Sequence, residues 1–570
     1  MIVGSVRRSQ LITTYGVGAI VAVGDESVMV AGLDEWPVDN AGSQLLEPRM
    51  QIEGRLLRLP PGGDDFFGGR DEHIPVVRFP LWYYCADPKC RRLDTYGQLA
   101  TDNLQNSCRH CGGSLIPSRF IAVCEEGHIE DFPYFQWVHR GKPAGGEGRH
   151  DLRLEVTGAS GSLAGIVVEC RTCDVPPRSL LGAFDREALV GIRSCGGRRP
   201  WLGVDDDGCG KLLRTTQRGA SNVWFPKVRS VLSIPPWSSG LQRFVSRKWE
   251  ALRYELEESA LRSIVEQMVA PEQILYSAEE VLAAVAARKG GAVAARTEAQ
   301  IRAEEYRALC HGRSGDSESD FVAEVREPPR ETVELIDLVT VASRLREVRA
   351  FTGFTRLKPQ AEEGDGCAIA RDCDWVPAVA VHGEGVFLRL DRQALTAWES
   401  QAPVVSRLQR LQGRWQQSFL YDGSPLTARF LLAHTFAHAL IDEWSLSGGY
   451  PAASLRERVF ADEEGVGVLV YTAAADSAGS LGGLIAQADP ARLGPSLLEA
   501  VRRYSWCSSD PVCAEADSQG AEGLNLAACH ACALLPETSC ENRNALLDRA
   551  LLVGTPQDPS FGFFSRLLGD

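Results

Sequence analysis

The 570-residue sequence contains no run of about 18 uninterrupted apolar residues, which argues against a membrane-spanning helix. Its first stretch, MIVGSVRRSQLITTYGVGAIVAVG, lacks the apolar segment of roughly 7–15 residues and the small-residue cleavage site of a secretory signal, so a soluble, cytoplasmic protein is expected. A phosphate-cradling G-x-x-x-x-G-K-[ST] motif is also missing. GCGKLL has the lysine but neither the earlier glycine nor the hydroxyl, and YGVGAI fails the dinucleotide pattern at its third glycine. Nucleotide-hydrolysing machinery is therefore not expected in this chain. Nor is there an excess of positive charge: 60 Lys and Arg face 75 Asp and Glu, and the net charge of −15 opposes broad attraction to phosphate.

Cysteine is plentiful. Seventeen cysteines, an odd number, are spread through a long chain that is 44% hydrophobic and can build several cores of its own. Disulfide frameworks belong to short secreted domains, and in a reducing cytosol paired thiols at short spacing are more often metal ligands. Three groups stand out. Cys85 and Cys90 are followed, after a gap of 17 residues, by Cys108 and Cys111, which is zinc-ribbon spacing. Cys170 and Cys173 form a CxxC whose return pair is expected to be Cys195 and Cys209, and between these groups CEEGH offers Cys124 and His128 as further candidates. Near the end, Cys513, Cys529, Cys532 and Cys540 make one set, with Cys507 and His530 competing for a place. A catalytic thiol there is the sharper alternative, but thiols crowded at ligand spacing are better explained by zinc. Two or three structural zinc ions are expected.

Two further stretches invite a catalytic reading. His434 and His438 stand four apart in HTFAH, on one helical face, as in metalloproteases. The glutamate that HExxH requires as general base is absent, and Thr435 takes its place. Hydrogen-bonded core histidines are the favoured reading. In YTAAADSAGSLGGLI, Asp476, Ser477 and the turn Gly479 to Gly483 follow a strand. Such a turn holds an anion or simply allows close packing.

The periodicity predicts an α+β, multidomain protein. Residues 1–80 read as β-rich, 81–215 as the zinc-ribbon region, 216–345 as largely helical with a capping Ser277, and 346–570 as an α/β domain with a zinc-binding cysteine cluster. PAVAVHGEGVFLRL reads as a hairpin turning at GEG, and LTARFLLAHTFAHALIDEW as a strongly apolar helix. Residues 211–260 hold nine Lys or Arg against four acids, which makes Arg243, Arg247 and Lys248 the candidate nucleic-acid contacts. Residues 461–540 hold three arginines against eleven acids and suit protein docking better.

Taken together and in order, RRSQLITTYGVGAIV, the C-x4-C, CRHC and CEEGHIEDFPYFQWVH block, RGASNVWFPKVRSVLSIP, HTFAHALI and CHACALLPETSCENRNALLDRALLVG resemble the DrmB family, a component of the DISARM antiphage defence system. The C-terminal part also resembles a cysteine-containing domain found fused to some DEAD/H-box-type helicases. The resemblance implies a non-catalytic subunit that pairs with a separate helicase, DrmA. Their heterodimer would recognise and obstruct phage DNA, beside a methyltransferase that marks host DNA. It also implies zinc ligation by Cys529, Cys532, Cys540 and an upstream thiol, Cys513 or Cys507. The competing readings are a metal-dependent hydrolase using His434, His438 and Asp476, and an autonomous zinc-ribbon DNA-binding protein. The missing general base weighs against the first and the acidic balance against the second.

Overall fold

The computed structural model describes residues 6–37, 44–50, 52, 54–62, 73–102, 106–142, 150–156, 162–206, 208–235, 237, 239–254, 257–269, 276–289, 296–315, 319–359, 366–472 and 482–569. The fold is α+β and divides into two compact units, each assembled from separated stretches of chain: residues 1–44, 58–229 and 350–378 in one, residues 45–57, 230–349 and 379–570 in the other.

The first unit is a set of small antiparallel sheets, because its strands are short and broken by Gly, Pro and cysteine turns. Trp82–Cys85 lies between Leu93–Thr95 and Leu115–Pro117. Phe120–Val123 lies between Arg214–Gln217 and Ile129–Asp131, and Ile166–Cys170 between Leu152–Val156 and Arg178–Ser179. Phe120, Phe132, Trp137, Leu152 and Val168 are buried in one cluster that also takes in Cys124, Cys170 and Cys195. Arg356 is fully buried. It donates to the carbonyls of Gly127 (3.0 Å), Val223 (2.7 Å) and Gly18 (2.9 Å), and its guanidinium lies over the Trp201 and Phe354 rings.

In the second unit the strand Trp375–Leu390 pairs with Val466–Thr472, which pairs in turn with Leu455–Ala461, all antiparallel. The GEG glycines lie inside Trp375–Leu390, so the expected hairpin is instead one continuous strand of 16 residues. Close approach explains them: a Cβ at Gly383 would sit 1.8 Å from the Thr472 carbonyl, and one at Gly385 would sit 2.8 Å from the Tyr471 Cβ. Against this sheet packs the 21-residue helix Ala428–Gly448. Its N-cap Thr427 hydroxyl accepts from the Phe430 N–H, and Gly449, at φ +72°, ends it in the left-handed conformation that glycine adopts without penalty. Leu431, Leu432, Phe436, Leu440 and Trp444 of this helix share a core with Leu493 and Leu497 of the helix Pro490–Tyr504 and with Leu551 and Phe564 near the chain end.

Ser239–Leu252, Glu258–Val269 and Ala278–Lys289 bury Leu241, Phe244, Val265, Val281 and Val285 together. Ser277 caps the third of these, accepting from the Glu280 N–H while Glu280 accepts from the Ser277 N–H. Residues 216–345 also contribute the strands Phe225–Leu232 and Val322–Arg326. Among the described residues no helix is long and apolar enough to cross a membrane.

Candidate metal centres

All 17 cysteines are free thiols, and 14 of them converge with five histidines and one glutamate where separate chain segments meet. Among the described residues, five groups of four have their ligand atoms within 4.8 Å of one another. A disulfide would bring sulfurs to about 2.05 Å. Four ligands about 2.0–2.3 Å from one ion are separated from each other by about 3.3–3.8 Å.

The first group is the one read from spacing: Cys85, Cys90, Cys108 and Cys111, with Cys85 and Cys111 sulfurs 3.4 Å apart and Cys90 and Cys108 3.9 Å apart. Cys85 ends its strand, and the tight turn after it closes through the Asp87 carbonyl, which accepts from the Cys90 N–H. On the other side Gly112, at φ +75°, makes the second turn, and a Cβ on Gly113 would sit 3.3 Å from both the Cys111 and Cys85 sulfurs. The glycines admit the backbone to the sulfurs.

The second sequence group is divided by the fold. Cys195 and Cys209 do not meet Cys170 and Cys173; they meet Cys124 and His128. The reason is strand pairing, because Arg214–Gln217, just after Cys209, lies against Phe120–Val123, just before Cys124. His128 presents Nδ1 to the Cys124 sulfur at 3.4 Å, and its Nε2 lies 2.8 Å from Asp206, which also pairs with Arg199. A carboxylate behind the ring is the usual way of orienting a ligand histidine. Gly127, at φ +80°, makes the turn between the two, and a Cβ there would collide with the Cys367 sulfur at 2.0 Å. The Cys124 thiol is held below the ordinary cysteine value, first by its hydrogen bond with Cys195 and then by the His128 contacts.

Cys170 and Cys173 instead join His139 and His150, neither of which the sequence nominated. The His150 Nδ1 lies 3.4 Å from the Cys170 sulfur and 3.1 Å from that of Cys173. His139 donates from Nδ1 to the Phe135 carbonyl one turn back, leaving its buried Nε2 without a hydrogen-bond partner.

The C-terminal choice between competing thiols goes to Cys507, which joins Cys513, Cys529 and Cys532; Cys540 lies elsewhere. Cys507 and Cys529 are 3.6 Å apart, Cys513 and Cys532 3.8 Å apart. Backbone N–H groups of Ser509 and Ala531 point at the Cys507 and Cys529 sulfurs, 3.4 Å away in each case. His530 is exposed beside the group. Burial pushes the Cys513 thiol up to about 11 and raises Cys532, Cys85 and Cys90 as well. Thiols raised in this way become ligands only where a cation compensates their deprotonation.

The fifth group is His434, His438, Glu457 and Cys540, and it is the most enclosed of the five, with the first three 0% exposed and Cys540 6%. Glu457 had no local signal in the sequence, because it reaches the helix from the strand Leu455–Ala461.

Of the remaining sequence candidates, Arg243, Arg247 and Lys248 lie exposed on the helix Ser239–Leu252, which buries Leu241, Phe244 and Val245. Asp476, Ser477 and Gly479 lie outside the described residues.

Two family descriptions match the chain: a domain of unknown function (DUF8724) over residues 7–225, and the MrfA Zn-binding domain over residues 436–533. The DISARM protein DrmB of Bacillus paralicheniformis is 31% identical over 529 residues, spanning 88% of this chain and 92% of that protein. A solved structure of the DUF1998 helicase MrfA bound to DNA aligns with 33% of this chain and 21% of its own, at 7% identity and a TM-score of 0.16, too slight a likeness to support a shared fold.

Proposed function

Because this chain belongs to the DrmB family of DISARM proteins, we propose that it is the non-catalytic, zinc-braced subunit of an antiphage defence complex, partnered by a separate helicase and meeting foreign DNA through that partnership. The observation that carries this reading is the closure of the ligand sets. Four of the groups consist only of Cys and His, each already holds four donors, and such closed sets are structural zinc sites, whereas catalytic zinc keeps a position for water. The ions would tie together the short sheets and turns of the first unit beside its buried cluster, and would brace the C-terminal loops of the second. With no phosphate-cradling motif in the sequence, ATP-driven movement along DNA falls to the helicase, whose contribution the isolated chain cannot replace.

The test is metal content and partnership together. A preparation never exposed to chelator should contain about four or five zinc ions per chain and unfold when stripped of them, since structural zinc contributes about 10–16 kcal/mol in small modules. The chain alone should hydrolyse no ATP and should co-purify with its co-expressed helicase. Less than about one zinc per chain would overturn the brace, and failure to co-purify would overturn the partnership.

A further inference from the structure

His434, His438, Glu457 and Cys540 come from three segments that no short motif connects: a helix, a strand and a C-terminal loop. We propose that they form a fifth metal centre, a buried, closed four-coordinate site of two imidazoles, one carboxylate and one thiolate that holds a zinc ion. It goes beyond the four Cys and Cys/His sets above and does not depend on them. His434 and Cys540 also lie outside the span that matches the MrfA Zn-binding domain.

Both histidines are already set as ligands. His434 Nδ1 donates to the Leu546 carbonyl (3.2 Å) and His438 Nδ1 to the Ala533 carbonyl (2.7 Å), so each ring carries its free lone pair on Nε2, and both Nε2 atoms face the same point. His434 Nε2 lies 3.2 Å from the Cys540 sulfur and 3.1 Å from Glu457 Oε1, and His438 Nε2 lies 3.5 Å from Glu457 Oε2. These separations fall at or near the ligand-to-ligand distances, about 3.3–3.8 Å, of a tetrahedral zinc site. At the centre of the group, His438 Nε2 and Glu457 Oε2 have no hydrogen-bond partner although both residues are fully buried. A native interior rarely leaves two such atoms facing each other, and one cation satisfies both.

Charge points the same way. A carboxylate sealed from water is costly unless a cation compensates it. A divalent ion with one carboxylate and one thiolate is neutral, which suits a site with three ligands at 0% exposure. The backbone N–H groups of Asn542 (3.3 Å) and Asn544 (3.2 Å) both point at the sulfur, so a thiolate formed on binding a cation has two donors waiting for it. Imidazole and thiolate donors exclude magnesium and calcium. Two histidines and a carboxylate alone would suit iron(II), but that chemistry needs open positions, and here the thiolate occupies the fourth place and water is shut out. Zinc, which accepts mixed N, O and S donors in a closed tetrahedron, fits best. The ion would pin the helix Ala428–Gly448 to the strand Leu455–Ala461 and to a loop 106 residues along the chain from His434. The carbonyl that orients His438 belongs to Ala533, next to Cys532, so this centre and the neighbouring thiolate set share one loop.

Anomalous diffraction from crystals of the full chain at the zinc edge, with zinc analysis of the wild type and of Cys540→Ala and His434→Gln, decides the matter. The expected result is a peak enclosed by the four donor atoms, with each variant about one ion per chain below the wild type. Peaks at the other four sets with none here, or variants with wild-type zinc content, would overturn this proposal and leave the zinc-brace reading standing. A peak here with none at the Cys and Cys/His sets would do the reverse. Should the variants fail to fold, the wild-type map alone is decisive.

Discussion

Thr435 stands where a metalloprotease helix needs its glutamate, and the reason is local and structural. Its hydroxyl donates to the Leu431 carbonyl (2.7 Å) and accepts from the Asp548 N–H (3.0 Å), with no exposure to solvent. Asp548 in turn grips Arg407 through two hydrogen bonds, at 2.5 and 2.8 Å, so one threonine hydroxyl ties the helix to the segment that carries a buried ion pair. Thr435→Val keeps the shape but leaves the Asp548 N–H without an acceptor in a buried place, which costs about 1–3 kcal/mol. Thr435→Ser, which restores the hydroxyl, should recover most of that loss. The denaturant midpoint of the three proteins measures it, and a Thr435→Val midpoint equal to that of the wild type would show the hydroxyl to be idle. At this scale the candidate site was half legible. Cys85, Cys90, Cys108 and Cys111 were readable because all four ligands sit in two tight turns. His139, His150 and Glu457 were not, because what makes each a candidate ligand is a strand or helix returning from elsewhere in the chain. The choice between Cys507 and Cys540 was equally hidden, since it depends on where the helix Ala428–Gly448 places His434 and His438.

Elements show the same limit. The apolar helix Ala428–Gly448 and the capped helices of the middle could be read from period and caps, which are local properties. The GEG stretch could not, because glycine serves both a turn and a close approach between strands, and only the partner strand distinguishes them. Gly383 and Gly413 therefore make a matched pair. Gly383→Ala forces a Cβ against the Thr472 carbonyl and should destabilise the second unit by about 1–3 kcal/mol or more. At Gly413, exposed within the helix Ala402–Gln417, an added Cβ meets nothing within 4 Å, and alanine should stabilise by up to about 1 kcal/mol. Opposite shifts in thermal midpoint are expected from one and the same substitution. Equal shifts would mean that the strand approach around Gly383 is looser than described.

For the whole molecule, the proposed meeting with DNA has to be reconciled with an acidic chain. With a net charge of −15, its long-range field repels phosphate, and at moderate salt only groups within about 10 Å of a backbone act on it. The helix Ser239–Leu252 offers the exposed Arg243, Arg247 and Lys248, and Arg288 of the adjacent helix adds its guanidinium over the Trp249 ring at 4.3 Å. Three or four cations are too few to outweigh the whole field, so on the proposed reading the helicase partner has to supply most of the positive charge. DNA binding should therefore be weak for the isolated chain and strong for the heterodimer. Charge reversal at Arg243, Arg247 and Lys248 removes up to about three phosphate contacts, so the slope of log affinity against log salt for the heterodimer should fall by about 2–3 while the two proteins stay together. Fluorescence anisotropy across a salt series measures the slope, and co-purification of the triple variant checks the pairing. An unchanged slope would move the DNA path off this helix, and tight, salt-sensitive binding by the chain alone would make it a DNA-binding protein in its own right.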